Sequence, residues 1–309
     1  MQPGRRAFLM PKLGVDSPWE QFCQRLGRVV RGTLRVEDPV PGQGHRATLT
    51  VARDEDVMHA LVLTKAQGVL LSLPGCPPER LPLQRDVLML DDSALQRVVS
   101  LDAARGILCV EPGCTTAALE AMLAETAWRL PWTGEDAMTA GDAAQSAYAW
   151  PTGHCPESQL YMADVLLAEG CWEVFGPFGV SSSYALRTAA GRRIVSGSFE
   201  LSAGKEAQTL LAQPAWSARL RLDGLTPRIG FDRAEQAPNA AHLLLGSEGR
   251  LAWVSRYTWL LSPRDAAAPR RWPARVHFTD DGRERAEDRL DLYLKMLFDP
   301  EGVFPPLVV

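Results

Sequence analysis

A chain of 309 residues, 46% of them hydrophobic, is long enough for one large or two moderate domains with a real core. Its 33 basic and 37 acidic side chains are well mixed and leave a net charge of −4, so no basic stripe argues for nucleic acid or for an anionic membrane surface. No apolar run reaches the roughly 18 residues of a membrane span, and the run after Arg5-Arg6 breaks at Pro11, so the start does not read as a signal peptide.

In chain order, Ser17–Val30 reads as a helix: Ser17 is a candidate N-cap, Pro18 sits in the first turn, and Trp19, Phe22, Leu26 and Val29/Val30 recur at helical spacing. Residues 47–52 alternate like a strand. Residues 54–65 read as a helix with acids in its first turn, where the dipole favours them, and 69–73 as a short buried strand. Strands follow at 86–91 and 105–112, joined by Leu95–Asp102, and then an amphipathic helix at 115–125. Residues 181–240 give few signals, apart from strand-like alternation at Trp216–Asp223 and loop markers at Gly-Leu-Thr-Pro and Gln-Ala-Pro-Asn. A strand at Ala274–Phe278 and a helix at Arg283–Leu297 close the chain.

The six cysteines (Cys23, Cys76, Cys109, Cys114, Cys155, Cys171) contain no C-x-x-C pair. That spacing is expected of reduced, buried structural thiols in a cytosolic protein. No two of the five histidines are spaced as a metal pair. His45 reads as part of a solvated loop and His59 as a structural helix residue. No G-x-S-x-G elbow, P-loop or G-x-G-x-x-G fingerprint occurs, so the enzyme classes built on them lose support.

Two stretches carry a family resemblance. Lys295-Met-Leu-Phe-Asp-Pro-Glu-Gly-Val-Phe-Pro-Pro306 resembles the C-terminal "K-x-x-F-D-P-x-G" signature of flavoproteins of the vanillyl-alcohol oxidase / PCMH type, and His242–Val254 resembles their "L-x-G-S-E-G-x-L-G" turn. Between them, Leu90-Asp91, Leu95, Val98-Val99, Leu101-Asp102, Ile107, Cys109-Val110 and Pro112-Gly113 fall in order on the family's pattern of strand, link and strand. Leu130-Pro131, Tyr161–Gly170 and Glu173–Gly179 continue it. Gly134-Glu-Asp-Ala137 is similar to the E subunit of bacterial glycolate oxidase.

The resemblance implies an α+β, PCMH-type FAD-binding fold of two α/β subdomains with a vestigial cap. Residues 1–40 would be an N-terminal helical extension, 41–95 and 96–262 the two subdomains, and 263–309 a shortened cap remnant with the C-terminal helix. The strands at 86–91 and 105–112 are expected on one sheet. The implied cofactor is FAD, on three groups of residues: Pro74, Gly75 and Cys76; Pro112, Gly113, Met138, Thr139 and Gly141; and Gly246, Ser247, Glu248 and Gly249. Catalytic residues are unknown. His154-Cys155 would be a covalent-flavin site only by analogy with some relatives, and it lies in a variable loop. Arg270, Arg271 and Arg275 read as a solvated basic loop.

The implied phosphate loop is poor in the groups it needs. Pro77 and Pro78 have no N–H to offer, and Glu79 adds negative charge. Two missing bonds to a charged acceptor, at about 1.5–3 kcal/mol each, weaken binding about a hundred- to ten-thousand-fold. Ala140-Gly141-Asp142 stands where the family has two adjacent glycines and a Met, and Asp142 puts a negative charge beside the implied cofactor. The expectation is therefore an accessory component of an FAD-linked 2-hydroxy-acid dehydrogenase with FAD lost, beside flavin and iron–sulfur subunits, in the cytoplasm. The alternative is a non-catalytic scaffold or regulatory protein of the same descent. Nine tryptophans, among them Trp253, Trp259 and Trp272, are expected to supply a partner interface.

Overall fold

Helix α1 (Pro18–Val29) begins at a reciprocal cap: the Ser17 hydroxyl accepts the Glu20 N–H, and the Glu20 carboxylate accepts the Ser17 N–H. It buries Trp19, Phe22 and Leu26. The computed structural model describes residues 17–132, 135–178, 185–226, 238–265, 273–276 and 286–307. After α1 come β1 (Thr33–Val36), β2 (Arg46–Thr50), α2 (Asp54–Gln67), β3 (Leu70–Ser72) and β4 (Val87–Asp91). They form a four-stranded sheet in the order β1-β2-β4-β3, with β2, β4 and β3 parallel and β1 antiparallel. Asp56, fully buried at the start of α2, accepts N–H groups from Arg31, Gly32 and Ala52, and so fixes the α1–β1 link to the helix. Burial pushes its pKa up, but those bonds and Arg53 outweigh burial and hold the carboxyl below the usual range.

The chain then crosses to a second, antiparallel sheet. Its elements are β5 (Val98–Asp102), β6 (Ile107–Val110), α3 (Thr116–Leu123), β7 (Trp128–Arg129), α4 (Ala140–Gln145), β8 (Leu160–Leu166), β9 (Trp172–Phe175), α5 (Ala189–Ala203), α6 (Lys205–Leu211), β10 (Trp253–Leu260), β11 (Ser262–Pro263) and α7 (Ala286–Phe298). The strand order is β5-β6-β10-β8-β9, and β7 pairs separately with β11. The fold is mixed α/β. No helix among the described residues is long and apolar enough to cross a membrane.

Several expectations change. The strands at 86–91 and 105–112 exist as β4 and β6 but lie on different sheets. β4 is hydrogen-bonded on both edges, by β2 and β3, and β6 on both edges, by β5 and β10, so neither has an edge left for the other. The Leu95–Asp102 link contains β5, which is exposed along most of its length and shows no buried face to read. Trp216–Asp223 is not a strand. Asp291 of α7 accepts the N–H groups of both Arg219 and Leu220, so this segment is served by a helix side chain and needs no ladder. The helices α5 and α6 occupy the stretch that gave few signals. Cys114 and Cys155 are buried, but Cys23, Cys76, Cys109 and Cys171 are only half-buried; all six are free. Trp253 and Trp259 are core residues, 1% and 0% exposed, and supply no interface. Trp272, His277, Phe278, Arg270, Arg271, Gly179 and residues 266–272 and 277–285 of the expected cap remnant lie outside the described residues; Ala274 and Val276 pair with the backbone of residues 147–149.

The C-terminal segment closes the molecule. Asp299 accepts the Val303 and Phe304 N–H groups at 2.9 Å each and the Lys295 ammonium at 2.7 Å. Lys295 also donates to the Arg250 carbonyl at 2.7 Å. The turn so formed lays Val303 along the free edge of β3, where its carbonyl accepts the Leu71 N–H, and inserts Val303 and Phe304 into the core of the first sheet. Burial pulls the Lys295 pKa down, with Asp299 opposing it. Asp299→Ala would leave a buried ammonium and two N–H groups unpaired. It is expected to cost about 3–5 kcal/mol in urea unfolding, whereas a loss under about 1 kcal/mol would mean the turn is held by apolar packing alone.

Candidate functional site

The implied cofactor residues converge where the two sheets meet. The Leu73–Cys76 turn follows β3, Asp92 follows β4, Pro112-Gly113 follows β6, Thr139 opens α4, and Gly246–Gly249 leads into β10. A cavity of about 100 Å³ between them is lined by Leu73, Pro74, Gly75, Asp92, Thr139, Gly141, Asp142, Gln145, Ala252, Trp253, Val254 and Tyr257. Of the residues implied by resemblance, Pro74, Gly75, Thr139 and Gly141 line this cavity. Pro112, Gly113, Ser247 and Gly249 stand directly behind its walls. Met138 is held away from it: its carbonyl accepts from the Thr116 N–H and hydroxyl, and its sulfur lies 3.9 Å from the Tyr148 hydroxyl.

The glycines at this junction are required by backbone approach. A Cβ at Gly249, whose φ is +67°, would collide with the Pro74 carbonyl; one at Gly113 would come within 2.6 Å of the Asp92 carbonyl. Gly75 has φ +88° and lies against Gln145 and Gly249. The sheets thus meet backbone to backbone, through glycines.

The N–H groups here are already engaged. Gly113 donates to Leu95, Gly141 to Pro112, Ala140 to Cys114 and Cys76 to Leu73. Thr139 and Asp142 satisfy one another in a reciprocal cap at 3.0 Å in each direction, which gives the Asp142 carboxylate a structural role. In the Gly246–Gly249 turn, Gly246 and Glu248 donate to the carbonyls of Ala144 and Gln145. The buried Gln145 side chain completes the closure: its carbonyl oxygen accepts the Ser247 hydroxyl at 2.6 Å and the Gly249 N–H at 3.2 Å, and its amide donates to the Tyr257 hydroxyl at 3.0 Å.

The charges point the same way. Asp92 and Asp142 line the cavity and no cation does. Burial, then the nearby Asp142 charge, pushes the Asp92 pKa up to about 6. Behind the wall, Glu248, at φ +48°, holds both Arg80 and Arg250 at 2.7 Å and so clamps the 74–80 loop to the turn. The half-buried Cys76 thiol is pushed up by burial. A flavin dinucleotide does not fit this arrangement. The cavity is below the roughly 300–1,000 Å³ of small-molecule sites, and a diphosphate there would face the carboxylates of Asp92 and Asp142.

The other singled-out residues have structural partners. His154 is bound to Glu157 at 2.8 Å, and Cys155 is fully buried beside Asp223 with its thiol pushed up to about 12, chiefly by burial. His45 stacks on Trp19 and bonds Asp86 at 2.9 Å, and its side chain stays 44% exposed in the loop. Buried His242 bonds the Leu160 carbonyl, and burial lowers its pKa to about 4. Among the described residues, no cluster of three His, Cys, Asp or Glu could hold a metal ion. Sequence reasoning missed Asp92, Gln145, Tyr257, Arg80 and Arg250. Only Gln145 carried a signal, standing one helical turn after Gly141 in a helix that Thr139 caps.

In class, then, this is a mixed α/β protein of two sheets whose meeting line is a small acidic cavity. No family model matches the chain, and no curated protein matches it. Solved structures to which it is similar include alkyldihydroxyacetonephosphate synthase, at 13% identity and a TM-score of 0.42, covering 71% of this chain and 33% of that one. Another is the 4-ethylphenol oxidase from Gulosibacter chungangensis in its isoeugenol complex, at 15% identity and a TM-score of 0.49, covering 81% of this chain and 44% of that one. The chain spans less than half the length of either.

Two substitutions test the junction. Gln145→Ala strands the Ser247 hydroxyl, the Gly249 N–H and the Tyr257 hydroxyl, and is expected to destabilise by about 2–4 kcal/mol in urea unfolding. Asp92→Asn is expected to act oppositely. A carboxyl whose folded pKa of about 6 exceeds its unfolded value of about 3.9 loses stability as pH rises between those values. The variant should therefore match the native chain near the unfolded pKa and exceed it by about 3 kcal/mol at neutral pH. Equal stability of the two proteins at neutral pH would contradict this.

Proposed function

We propose that this chain is a non-redox descendant of the FAD-linked oxidases of the PCMH type, an accessory subunit comparable to the E subunit of glycolate oxidase that works without bound flavin. In this reading the four-stranded and five-stranded sheets are the two subdomains, and the segment after β10 is what remains of a cap. The partners are a larger flavoprotein that carries the 2-hydroxy-acid chemistry and an iron–sulfur subunit that accepts its electrons. The observation that carries the reading is the closure of the junction by Gln145: the Gly113, Gly141 and Gly249 N–H groups are bound to protein atoms, and the cavity left between them is acidic.

A scaffold for a redox complex needs the family's shape without its cofactor, and the residues here divide in that way. Backbone approach at Gly113 and Gly249 and the Lys295–Asp299 closure are kept, and the phosphate donors at residues 77 and 78 are prolines. Protein purified from its native cells is expected to lack flavin absorbance, to show no saturation with micromolar FAD, and to co-purify with a larger chain that does contain flavin. Stoichiometric FAD on this chain would overturn the loss of cofactor, and a lone monomer in native extract would overturn the accessory role.

A further inference from the structure

A second cavity, of about 250 Å³, shares no lining residue with the junction cavity and meets the junction at Gly246. Its walls are aromatic and apolar, with Tyr148, Trp150 and Trp216 the large side chains and alanines, Leu245 and Val276 between them. Two of its lining residues are cations, Arg219 and Arg221, and none is an acid. Arg221 is 4% exposed and is fixed by Asp223 at 2.7 Å and by the Trp150 and Pro151 carbonyls. Arg219 is half-buried on the segment that Asp291 holds by its backbone. Burial, followed by the charges of Arg80 and Arg250, lowers its pKa, with Asp291 and Glu248 opposing. At the rim the Arg275 guanidinium stands 6.0 Å from the centre of the Tyr148 ring. A guanidinium lining the cavity presents N–H donors in the planar geometry that a carboxylate accepts, and aromatic walls favour a flat apolar body.

We propose that this cavity binds a small single-ring carboxylate, its ring among Tyr148, Trp150 and Trp216 and its carboxylate on Arg219, with Arg221 fixed behind as a second source of positive charge. The size is suitable: about 150 Å³ accommodates benzene in an engineered apolar cavity, so the volume here takes one ring and a carboxyl group but not a dinucleotide. The proposal is independent of the accessory role, because it concerns other residues and is read out with a different ligand.

Benzoate is the probe. Calorimetric titration of the full chain is expected to give saturable binding with one site per chain. Benzyl alcohol, of similar shape without the charge, should bind at least tenfold more weakly, and inorganic phosphate should not displace benzoate. Arg219→Gln is expected to weaken benzoate about ten- to hundredfold, to leave benzyl alcohol unaffected and to keep the thermal midpoint. Absence of saturation, equal affinity for benzyl alcohol, displacement by phosphate, or an Arg219→Gln variant that binds benzoate as the native chain does would each overturn the proposal. If that variant does not fold, the comparison of benzoate with benzyl alcohol on the native chain decides.

Discussion

A single buried ion pair holds the two sheets and the C-terminal segment in one arrangement. Lys295 reaches the carbonyl that ends the Gly246–Gly249 turn, and Asp299, one helical turn further on, folds the chain back so that Val303 lies along β3. Both charges are nearly inaccessible, at 6% and 4% exposure. Their desolvation is offset by further partners: two N–H groups on Asp299, the Arg250 carbonyl on Lys295, and the Phe304 ring 5.4 Å from the ammonium. The geometry is therefore demanding. A conserved-looking C-terminal signature need not imply that a cofactor is nearby, since folding alone gives each of its charged residues a structural task.

The same lesson applies at the junction. Glycines in a flavin-type loop are usually read as making room for phosphate, but here they make room for the opposing loop. Gly249 passes under the Pro74 carbonyl, and Gly113 under that of Asp92. Once the loops touch, their N–H groups must find acceptors inside the protein, because a buried unpaired donor costs about 1–3 kcal/mol. Gln145 supplies the acceptor, and Tyr257 in turn supplies one for its amide. Asp142 turns inward along its own helix to cap it. Residues that read as damage to a cofactor site are thus satisfied members of a closed interface. The cations nearby stand behind the wall, as Arg80 and Arg250 around Glu248, and at the second cavity, as Arg219 and Arg221.

Local patterning determined the elements that carry their own signals. The helix at 18–29 was legible because Ser17, Pro18 and the Trp19–Phe22–Leu26 spacing are all local. The helix after Asp54 was legible from its acidic first turn, and β3, β4 and β6 from short apolar runs. The convergence of residues 74–76, 112–113, 139–141 and 246–249 was legible only through the order of the motifs. The sequence by itself also determined that residues 77 and 78 donate no N–H, since proline lacks the proton in any fold. Tertiary structure alone decided which sheet each strand joined, because edges are filled by partners distant in sequence. It alone decided that Trp216–Asp223 needs no strand neighbour, because its donors are met by Asp291 from the last helix. It alone decided that Gln145 closes the junction and that Asp92 stands beside Asp142. Those are contacts between residues 50 to more than 100 positions apart, and no local pattern encodes the dielectric and the partners that such contacts create.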